Sequence, residues 1–356
     1  MNLEQTIVRE IEKTGFISFA RFMELALYAP DLGYYETRER VGRGGDFYTS
    51  VSVGNLFGHL LAMQFAHWMV QIGKDAVPML VETGANDGQL AQDILQSLSD
   101  HSPELSAHVQ YIIVEPSQKR RGWQLETLKG YSNVRWVGDL REIDSVRGVI
   151  FSNELLDAMP FHRLQWNRQT MSWDELNVAF DGNSFIWKVE PCSLPAGLLP
   201  FVPVDLGKIL PDGFQTEVSP AAVDWWRRAA AKLEHGKLVA FDYGLEAEEF
   251  FTPERSKGTA RGYTRHKMVE DLLASPGEQD ITCHVNFSAI GKAGNSSGLK
   301  TEFMGTQAKF VAGILEQQLR KGGNIDHWDR KQVAQLQTLT HPAHLGTKFK
   351  VMVQSR

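Results

Sequence analysis

Five short apolar runs recur along this sequence, and each ends in a polar or acidic residue. The runs cover 79–81, 111–114, 134–137, 148–151 and 237–241, and they end at Glu82, Glu115, Asp139, Asn153 with Glu154, and Asp242. Helix-like segments alternate with them. Apolar runs that lack polar alternation and are separated by helices predict buried parallel strands. Two more strands are expected near the end of the chain, at 300–306 and 349–353.

The stretch 160–215 breaks this alternation. Segments 162–166, 171–180 and 184–189 resemble strands, and Asp181-Gly182-Asn183 is typical of a tight turn. We interpret them as an antiparallel β-meander that is inserted after the fourth core strand. Residues 1–75 look helical with loops. The sequence therefore predicts an α/β chain with a helical N-terminal subdomain at 1–75 and a Rossmann-like core at 76–356, which carries an insertion at about 160–215.

Composition and charge exclude several classes of protein. Of the 356 residues, 42% are hydrophobic and 22% are charged, which is ordinary for a globular chain and excludes disorder of the whole chain. The net charge of -6 argues against non-specific binding of nucleic acid, which needs clustered lysine and arginine. Two widely spaced cysteines, Cys192 and Cys283, indicate a reducing compartment rather than a disulfide framework.

The sequence predicts neither a targeting segment nor a membrane span. Residues 1–15 mix acids and bases and lack the apolar run of a signal peptide. The most apolar stretch, 57–73, is interrupted by two histidines and two glutamines, so it indicates an amphipathic helix. We expect a cytoplasmic protein that has no membrane span and no nucleic-acid partner.

A glycine-containing loop follows the first core strand. Residues 82–88 read Glu-Thr-Gly-Ala-Asn-Asp-Gly, an E-x-G-x-N-x-G pattern between a strand and a helix. Gly84 and Gly88 allow a tight turn and a close approach of the backbone to a ligand. Asn86 stands where a middle glycine is expected, and asparagine is the residue that best tolerates a left-handed backbone after glycine. The alternative is a strand-to-helix turn with no ligand.

Acids at the strand ends indicate which ligand this loop binds. In an open parallel sheet, ligands lie outside the carboxyl ends of the strands. Acids there suit a ligand with hydroxyl groups or positive charge. Glu115 is placed to bind both ribose hydroxyls, and Asp139 could reach an adenine amino group. S-adenosylmethionine is therefore the predicted cofactor. NAD is the alternative, but it usually requires G-x-G-x-x-G, which Gly84 and Gly88 do not provide.

Several blocks of the sequence resemble the signature blocks of the MidA family. They are 27–35 (Leu-Tyr-Ala-Pro-Asp-Leu-Gly-Tyr-Tyr), 45–50 (Gly-Asp-Phe-Tyr-Thr-Ser), 153–160 (Asn-Glu-Leu-Leu-Asp-Ala-Met-Pro), 242–244 (Asp-Tyr-Gly) and 277–287 (Gly-Glu-Gln-Asp-Ile-Thr-Cys-His-Val-Asn-Phe). The resemblance implies an S-adenosylmethionine-dependent methyltransferase of class I fold. It also implies a role like that of the mitochondrial members, which assist assembly of respiratory complex I and methylate an arginine on one of its subunits. Departures from the family pattern are Asn86, Val51-Ser52 and Ala260.

Candidate residues for methyl transfer follow the fourth core strand, where class I methyltransferases place groups that face the acceptor. Asn153, Glu154 and Asp157 lie there, and two carboxylates would orient an acceptor guanidinium. The alternative is that the acids cap the next segment. His284 is a further catalytic candidate, although a lone histidine is more often structural. No metal is expected, because His341 and His344 lack an acidic or cysteine companion.

The predicted cofactor-binding residues are those of the strand ends, the glycine loop and a lid at 46–49. They are Asp46, Tyr48, Thr49, Glu82, Gly84, Asn86, Gly88, Glu115, Asp139 and Asn153. For the lid, a structural glycine turn is the alternative. The predicted function is methylation of arginine on a protein substrate, of the respiratory-complex-assembly type. A small-molecule or other protein methyltransferase, and a catalytically weak cofactor-binding assembly chaperone, are the alternatives. Whether the chain forms a homodimer is left open.

Overall fold

The computed structural model describes residues 2–37, 49–70, 72, 77–264, 267–320, 322 and 328–356. Its α-helices are α1 (Leu3–Thr14), α2 (Phe19–Tyr28), α3 (Tyr34–Thr37), α4 (Leu56–Met69), α5 (Gln89–His101), α6 (Pro103–His108), α7 (Gln118–Thr127), α8 (Val204–Ile209), α9 (Pro220–Lys232), α10 (Phe287–Ser296), α11 (Gln307–Arg320) and α12 (Arg330–Thr340). Its strands are β1 (Ile17–Ser18), β2 (Met79–Thr83), β3 (Gln110–Val114), β4 (Val134–Val137), β5 (Val146–Asn153), β6 (His162–Asn167), β7 (Ser172–Phe180), β8 (Phe185–Pro191), β9 (Gln215–Val218), β10 (Leu233–Leu245), β11 (Arg261–Thr264), β12 (Lys267–Val269), β13 (Asp280–Thr282), β14 (Val285–Asn286), β15 (Lys300–Thr306) and β16 (Phe349–Ser355).

The chain divides into two units. The meander unit comprises the described residues within 1–39, 156–224 and 244–290, and the sheet unit comprises those within 40–155, 225–243 and 291–356. This division differs from the predicted boundary at residue 75, because α1 to α3 belong to the meander unit and α4 belongs to the sheet unit. It also differs from the predicted insertion at about 160–215, since 244–290 joins the meander unit as well.

Aromatic packing explains why α2 and α4 fall in different units. The ring of Phe19 on α2 lies 5.4 Å from that of Phe161 and 5.1 Å from that of Trp187, both in the meander unit. On α4, the ring of Phe65 lies 5.0 Å from that of Phe151 on β5. Each helix therefore buries its apolar face in the unit to which it belongs. Burial of one such side chain contributes about 1.5–3 kcal/mol.

The sheet unit is built on one mixed sheet with the strand order β15-β16-β10-β5-β2-β3-β4. Neighbouring strands from β10 to β4 are parallel, and β16 runs antiparallel to both β10 and β15. The strand order reverses between β2 and β5, as in a doubly wound fold. The predicted Rossmann-like fold is confirmed. The carboxyl ends of β2, β3 and β5 meet at one edge of this sheet.

The meander unit contains the predicted meander. Strands β6, β7 and β8 pair antiparallel, and β6 and β7 also pair with β9 and β1. At the predicted tight turn, the side chain of Asp181 accepts hydrogen bonds from the backbone N–H groups of Asn183 (2.8 Å) and Ser184 (2.9 Å). A second sheet has the order β12-β11-β13, and β14 pairs with Gly244 and Leu245 at the end of β10.

Within the described ranges, none of the helices combines the length and the apolar character that a membrane crossing requires.

Candidate functional site

The loop after β2 turns sharply through three residues with left-handed backbone. Gly84, Asn86 and Gly88 have φ angles of 80°, 46° and 83°. Gly88 then caps the N-terminus of α5, and its N–H donates to the carbonyl of Ala85 at 2.7 Å. Asn86 therefore has a left-handed backbone, a conformation that asparagine tolerates better than other non-glycine residues. Helix α5 begins directly after this loop, which follows the carboxyl end of β2.

Glu82 lies on β2 just before this loop and is fully buried. The hydroxyl of Tyr111 on β3 donates to its Oε2 at 2.6 Å. Burial raises the pKa of Glu82 to about 7, although the Tyr111 hydrogen bond opposes the rise. The charge of this side chain therefore changes near neutral pH. A positively charged ligand group beside it would favour the ionised form.

Glu115 follows β3 and is 2% exposed. Its Oε1 accepts from the N–H of Ser117 (2.9 Å) and from Nε of Arg120 (3.3 Å), and its Oε2 accepts from Nε2 of Gln124 (3.1 Å). A carboxylate offers about four acceptor positions. Donors among the described residues fill three of them. By this count one acceptor position remains for a ligand hydroxyl, and the predicted second hydrogen bond would have to take the place of the long Arg120 contact.

Asp139 follows β4 and is engaged by neighbouring arginines. Its side chain accepts from the N–H of Arg141 (2.8 Å) and from Nε of the same arginine (2.9 Å), and Arg228 lies at 3.8 Å. The Arg141 guanidinium holds the pKa of Asp139 below its ordinary value. The structure therefore gives Asp139 a capping role at the 3-10 helix Leu140–Glu142. Its contact with adenine stays a prediction.

The chain bends at the end of β5 through a non-glycine residue. Glu154 has a φ of 53°, and its N–H donates to the carbonyl of Phe241 at 2.9 Å. The amide of Asn153 donates to Glu154 Oε1 at 3.2 Å, and Asp242 Oδ2 accepts from the N–H of Leu155 at 3.1 Å. These contacts hold a strained turn, and strain of this kind clusters at functional sites. Asp242 thereby satisfies loop N–H groups.

Two hydroxyl residues at the same edge were missed by the sequence reasoning. Thr83 and Ser152 pair in register at the carboxyl ends of β2 and β5. Their hydroxyl oxygens, and Oδ1 of Asn153, are buried without a hydrogen-bond partner in the part of the chain that the structure describes. Unpartnered buried polar atoms are costly and point to a ligand or a bound water. A hydroxyl at the last positions of an otherwise apolar strand was the available signal.

The other predicted acceptor-side residues belong to the meander unit. The backbone carbonyl of Asp157 accepts from the N–H of Cys283 at 3.0 Å, and the N–H of His284 donates to Thr259 Oγ1 at 3.0 Å. Burial lowers the pKa of His284 to about 4, and Arg255 and Arg261 add to the effect. His284 is therefore neutral at physiological pH and a weak base. The catalytic roles of Asp157 and His284 stay predictions.

The predicted lid is described only at Thr49, since Asp46 and Tyr48 lie outside the described residues. Thr49 and Ser52 form a reciprocal turn. The N–H of Thr49 donates to Ser52 Oγ at 2.9 Å, and the N–H of Ser52 donates to Thr49 Oγ1 at 3.1 Å. The structural glycine turn that is the alternative to a lid would involve Gly44 and Gly45, which also lie outside the described residues. A contact between Thr49 and the cofactor stays a prediction.

Solved structures similar to this chain include two from Burkholderia thailandensis. One was determined with bound S-adenosyl-homocysteine and is 31% identical, with a TM-score of 0.83 over 99% of this chain and 92% of that chain. The other is a native crystal structure of an uncharacterized protein, 30% identical, with a TM-score of 0.82 over 99% and 91% of the two chains.

Curated relatives carry the name "Protein arginine methyltransferase NDUFAF7, mitochondrial". The Bos taurus protein is 28% identical over 311 residues, which are 80% of this chain and 67% of the relative. The Homo sapiens protein is 28% identical over 312 residues, with the same coverage of the two chains.

The residues at the carboxyl edge of the sheet fit S-adenosylmethionine. The buried acids Glu82 and Glu115 suit an amino group and a ribose hydroxyl, and the unpartnered oxygens of Thr83, Ser152 and Asn153 offer further polar contacts. Residues 60–304 match the family model described as "Putative S-adenosyl-L-methionine-dependent methyltransferase". The sheet order, the fit of these residues and this match lead to one conclusion: the chain belongs to the MidA family of S-adenosylmethionine-dependent methyltransferases.

Proposed function

We propose that this methyltransferase modifies an arginine side chain on a protein substrate. The names of the curated relatives support an arginine acceptor. The observation in this chain that carries the proposal is the turn at Glu154. It presents a carboxylate directly after β5, in a backbone conformation that costs about 1–2 kcal/mol for a non-glycine residue. Because this backbone strain lowers stability, the presence of a glutamate there supports a role in binding the acceptor.

The role of Glu154 follows from the chemistry of a guanidinium. When bound, S-adenosylmethionine would supply a sulfonium methyl group to an attacking nitrogen and would leave as S-adenosyl-homocysteine, while the nitrogen would release its proton to water. A carboxylate matches the planar, forked guanidinium with two parallel hydrogen bonds and fixes its orientation. The Asn153 amide donates to Glu154 Oε1 and limits its rotation. Glu154 would therefore accelerate transfer by positioning the acceptor and by stabilising its positive charge.

His284 is a poor candidate for removing the proton from the acceptor. With a pKa of about 4 it is a weak base at neutral pH. Its Nδ1 is buried and unpartnered among the described residues, so it can still accept a hydrogen bond. We therefore assign His284 to hydrogen bonding in the meander unit and assign acceptor orientation to Glu154.

The test measures transfer of a labelled methyl group from S-adenosylmethionine to a panel of arginine-containing proteins. A subunit of respiratory complex I is the first member, because the family resemblance implies it. Glu154→Gln keeps the shape of the side chain and removes its charge. We expect unchanged binding of S-adenosyl-homocysteine and a loss of transfer of at least a hundredfold, about 2.7 kcal/mol in the barrier. Asp157→Asn tests the second predicted carboxylate in the same assay.

The exposed Glu104→Gln serves as the control variant, since it changes a glutamate of the sheet unit away from the carboxyl edge. Transfer at the wild-type rate by Glu154→Gln would contradict the proposed mechanism. Cofactor binding without methylation of any arginine would favour the assembly-chaperone alternative. Transfer to small amines alone would favour the small-molecule alternative.

A further inference from the structure

Gln124 on α7 connects two parts of the cofactor site. It is completely buried. Its Nε2 donates to the carbonyl of Asn86 at 2.9 Å and to Oε2 of Glu115 at 3.1 Å. Its Oε1 accepts from the indole N–H of Trp136 on β4 at 3.0 Å. One side chain therefore touches the glycine loop and the strand-end carboxylate at once.

The chemistry of these partners fixes the orientation of the Gln124 amide. The indole N–H of Trp136 only donates, so it must face the amide oxygen. The Asn86 carbonyl and the Glu115 carboxylate only accept, so they must face the amide nitrogen. A flipped amide would bring its oxygen against two acceptors and its nitrogen against a donor. The side chain is thus locked in one orientation, with both of its N–H donors in use.

This locked amide determines where the oxygens of Glu115 lie. Ser117 and Arg120 hold Oε1, and Gln124 holds Oε2. Among the described residues, two donors reach Oε1 and one reaches Oε2, so Oε2 is the oxygen that we assign to a ligand. The same amide binds the carbonyl of Asn86, whose left-handed turn sets the course of the loop. A change at Gln124 would therefore displace the loop and the carboxylate together.

We propose that Gln124 is a positioning residue of the cofactor site, which aims Glu115 Oε2 at a ribose hydroxyl and ties it to the Asn86 turn. The proposal rests on the predicted contact between Glu115 and the ribose. It assigns a functional reason to a buried glutamine whose amide makes three hydrogen bonds to these groups and to Trp136. Gln124 acts through Glu115 and through the loop, and it does not touch the reacting groups.

The test is calorimetric binding of S-adenosyl-homocysteine and of its 2′-deoxy and 3′-deoxy analogues. Wild-type protein should bind one deoxy analogue about tenfold more weakly or worse, because a hydrogen bond to a charged carboxylate is lost. Gln124→Met has a similar shape and makes none of the three hydrogen bonds. We expect it to bind S-adenosyl-homocysteine at least about tenfold more weakly and to lose most of the preference over the deoxy analogue.

Thr127→Val is the matched control. Thr127 lies on the same helix, and its hydroxyl donates to the carbonyl of Asp87 at 2.7 Å, so it braces the same loop without a hydrogen bond to Glu115. This variant should keep the preference for the ribose hydroxyl even where its affinity falls. If Gln124→Met does not fold, Trp136→Phe removes only the anchor of the amide and should reduce the preference severalfold.

The outcomes separate the positioning role from a structural one. A folded Gln124→Met that keeps the wild-type preference would overturn the proposal, whatever its melting temperature. An equal loss of preference in Thr127→Val would also overturn it, because general loosening of the loop would then explain the effect. Glu115→Gln tests the predicted contact between Glu115 and the ribose. If neither this variant nor the wild type discriminates between S-adenosyl-homocysteine and its deoxy analogues, both the ribose contact and the role of Gln124 are wrong.

Discussion

At the scale of single residues, the buried acid Glu82 makes stability depend on pH. Its pKa rises from an ordinary 4.5 to about 7 on folding, chiefly because burial disfavours the charged form. Between these values the folded state binds more protons than the unfolded state. The contribution of Glu82 to the free energy of unfolding is therefore fully present below about pH 4.5 and is lost as the pH rises through about 7. Glu82 therefore destabilises the ligand-free protein above neutral pH.

Glu82→Gln should remove this dependence. At pH 8 we expect the ligand-free variant to be more stable than the wild type by up to about 3 kcal/mol, and at pH 4.5 the difference should vanish. Urea unfolding at the two pH values measures both quantities. The exposed Glu104→Gln should leave the pH dependence unchanged. A wild-type pH profile in Glu82→Gln would show that another group titrates.

Asn86 is the second residue whose backbone decides its role. Its side chain is exposed, and its φ of 46° lies where glycine has no Cβ cost. Asn86→Gly should therefore keep or raise the free energy of unfolding and keep the affinity for S-adenosyl-homocysteine. Asn86→Ala should lose about 1 kcal/mol. Chemical unfolding and calorimetry check both variants. A large loss of affinity in Asn86→Gly would mean that the asparagine side chain itself contacts the ligand.

At the scale of elements, the turn that ends β5 carries backbone strain at a non-glycine residue. Glu154 has a left-handed backbone, and hydrogen bonds to the neighbouring β10 hold it there. Glu154→Gly should raise the free energy of unfolding by about 1 kcal/mol, because glycine removes the Cβ strain. The same variant should lose methyl transfer, because it lacks the carboxylate. If Glu154→Gly is less stable than the wild type, the glutamate side chain contributes to packing, and the expected cost of the backbone strain is wrong.

At the scale of the whole molecule, a buried ion pair connects segments of the meander unit that are distant in sequence. Arg163 on β6 lies 3.8 Å from Glu217 on β9, and both side chains are buried. Glu217 Oε2 also accepts from the N–H (2.8 Å) and the hydroxyl (2.9 Å) of Thr259. These segments are far apart in sequence, so the pair is an interaction that folding itself assembles.

Removing one partner of this pair leaves a buried charge. Glu217→Gln should lose about 3 kcal/mol of unfolding free energy, since Arg163 would stay buried without its counter-charge. The double variant with Arg163→Met should recover part of the loss. Glu190→Gln, in the more exposed pair with Lys188, should cost less than about 1 kcal/mol. Comparable losses for the two pairs in urea unfolding would contradict this account.

The sequence by itself determined the elements of this protein and the sheet edge at which the strand-end acids lie. Apolar runs, helix spacing and turn residues are local signals, and a parallel sheet collects the ends of its strands at one edge. That was enough to predict the Rossmann-like core, the meander, the cofactor and the left-handed suitability of Asn86. These local signals did not predict the boundaries of the units. The unit to which α1 to α3 or α4 belongs depends on packing partners that lie far away in the chain.

Only the tertiary structure decided which polar groups meet. Gln124, Thr83 and Ser152 carry no sequence signal as strong as an acid at a strand end, yet folding places them beside the glycine loop and the central strands. The contacts of Arg141 with the Asp139 carboxylate are a further example, since the position of Asp139 at a strand end does not predict them. The reason is physical: the partner of a buried polar group is set by long-range pairing, and the strength of each hydrogen bond depends on burial that a linear pattern does not contain.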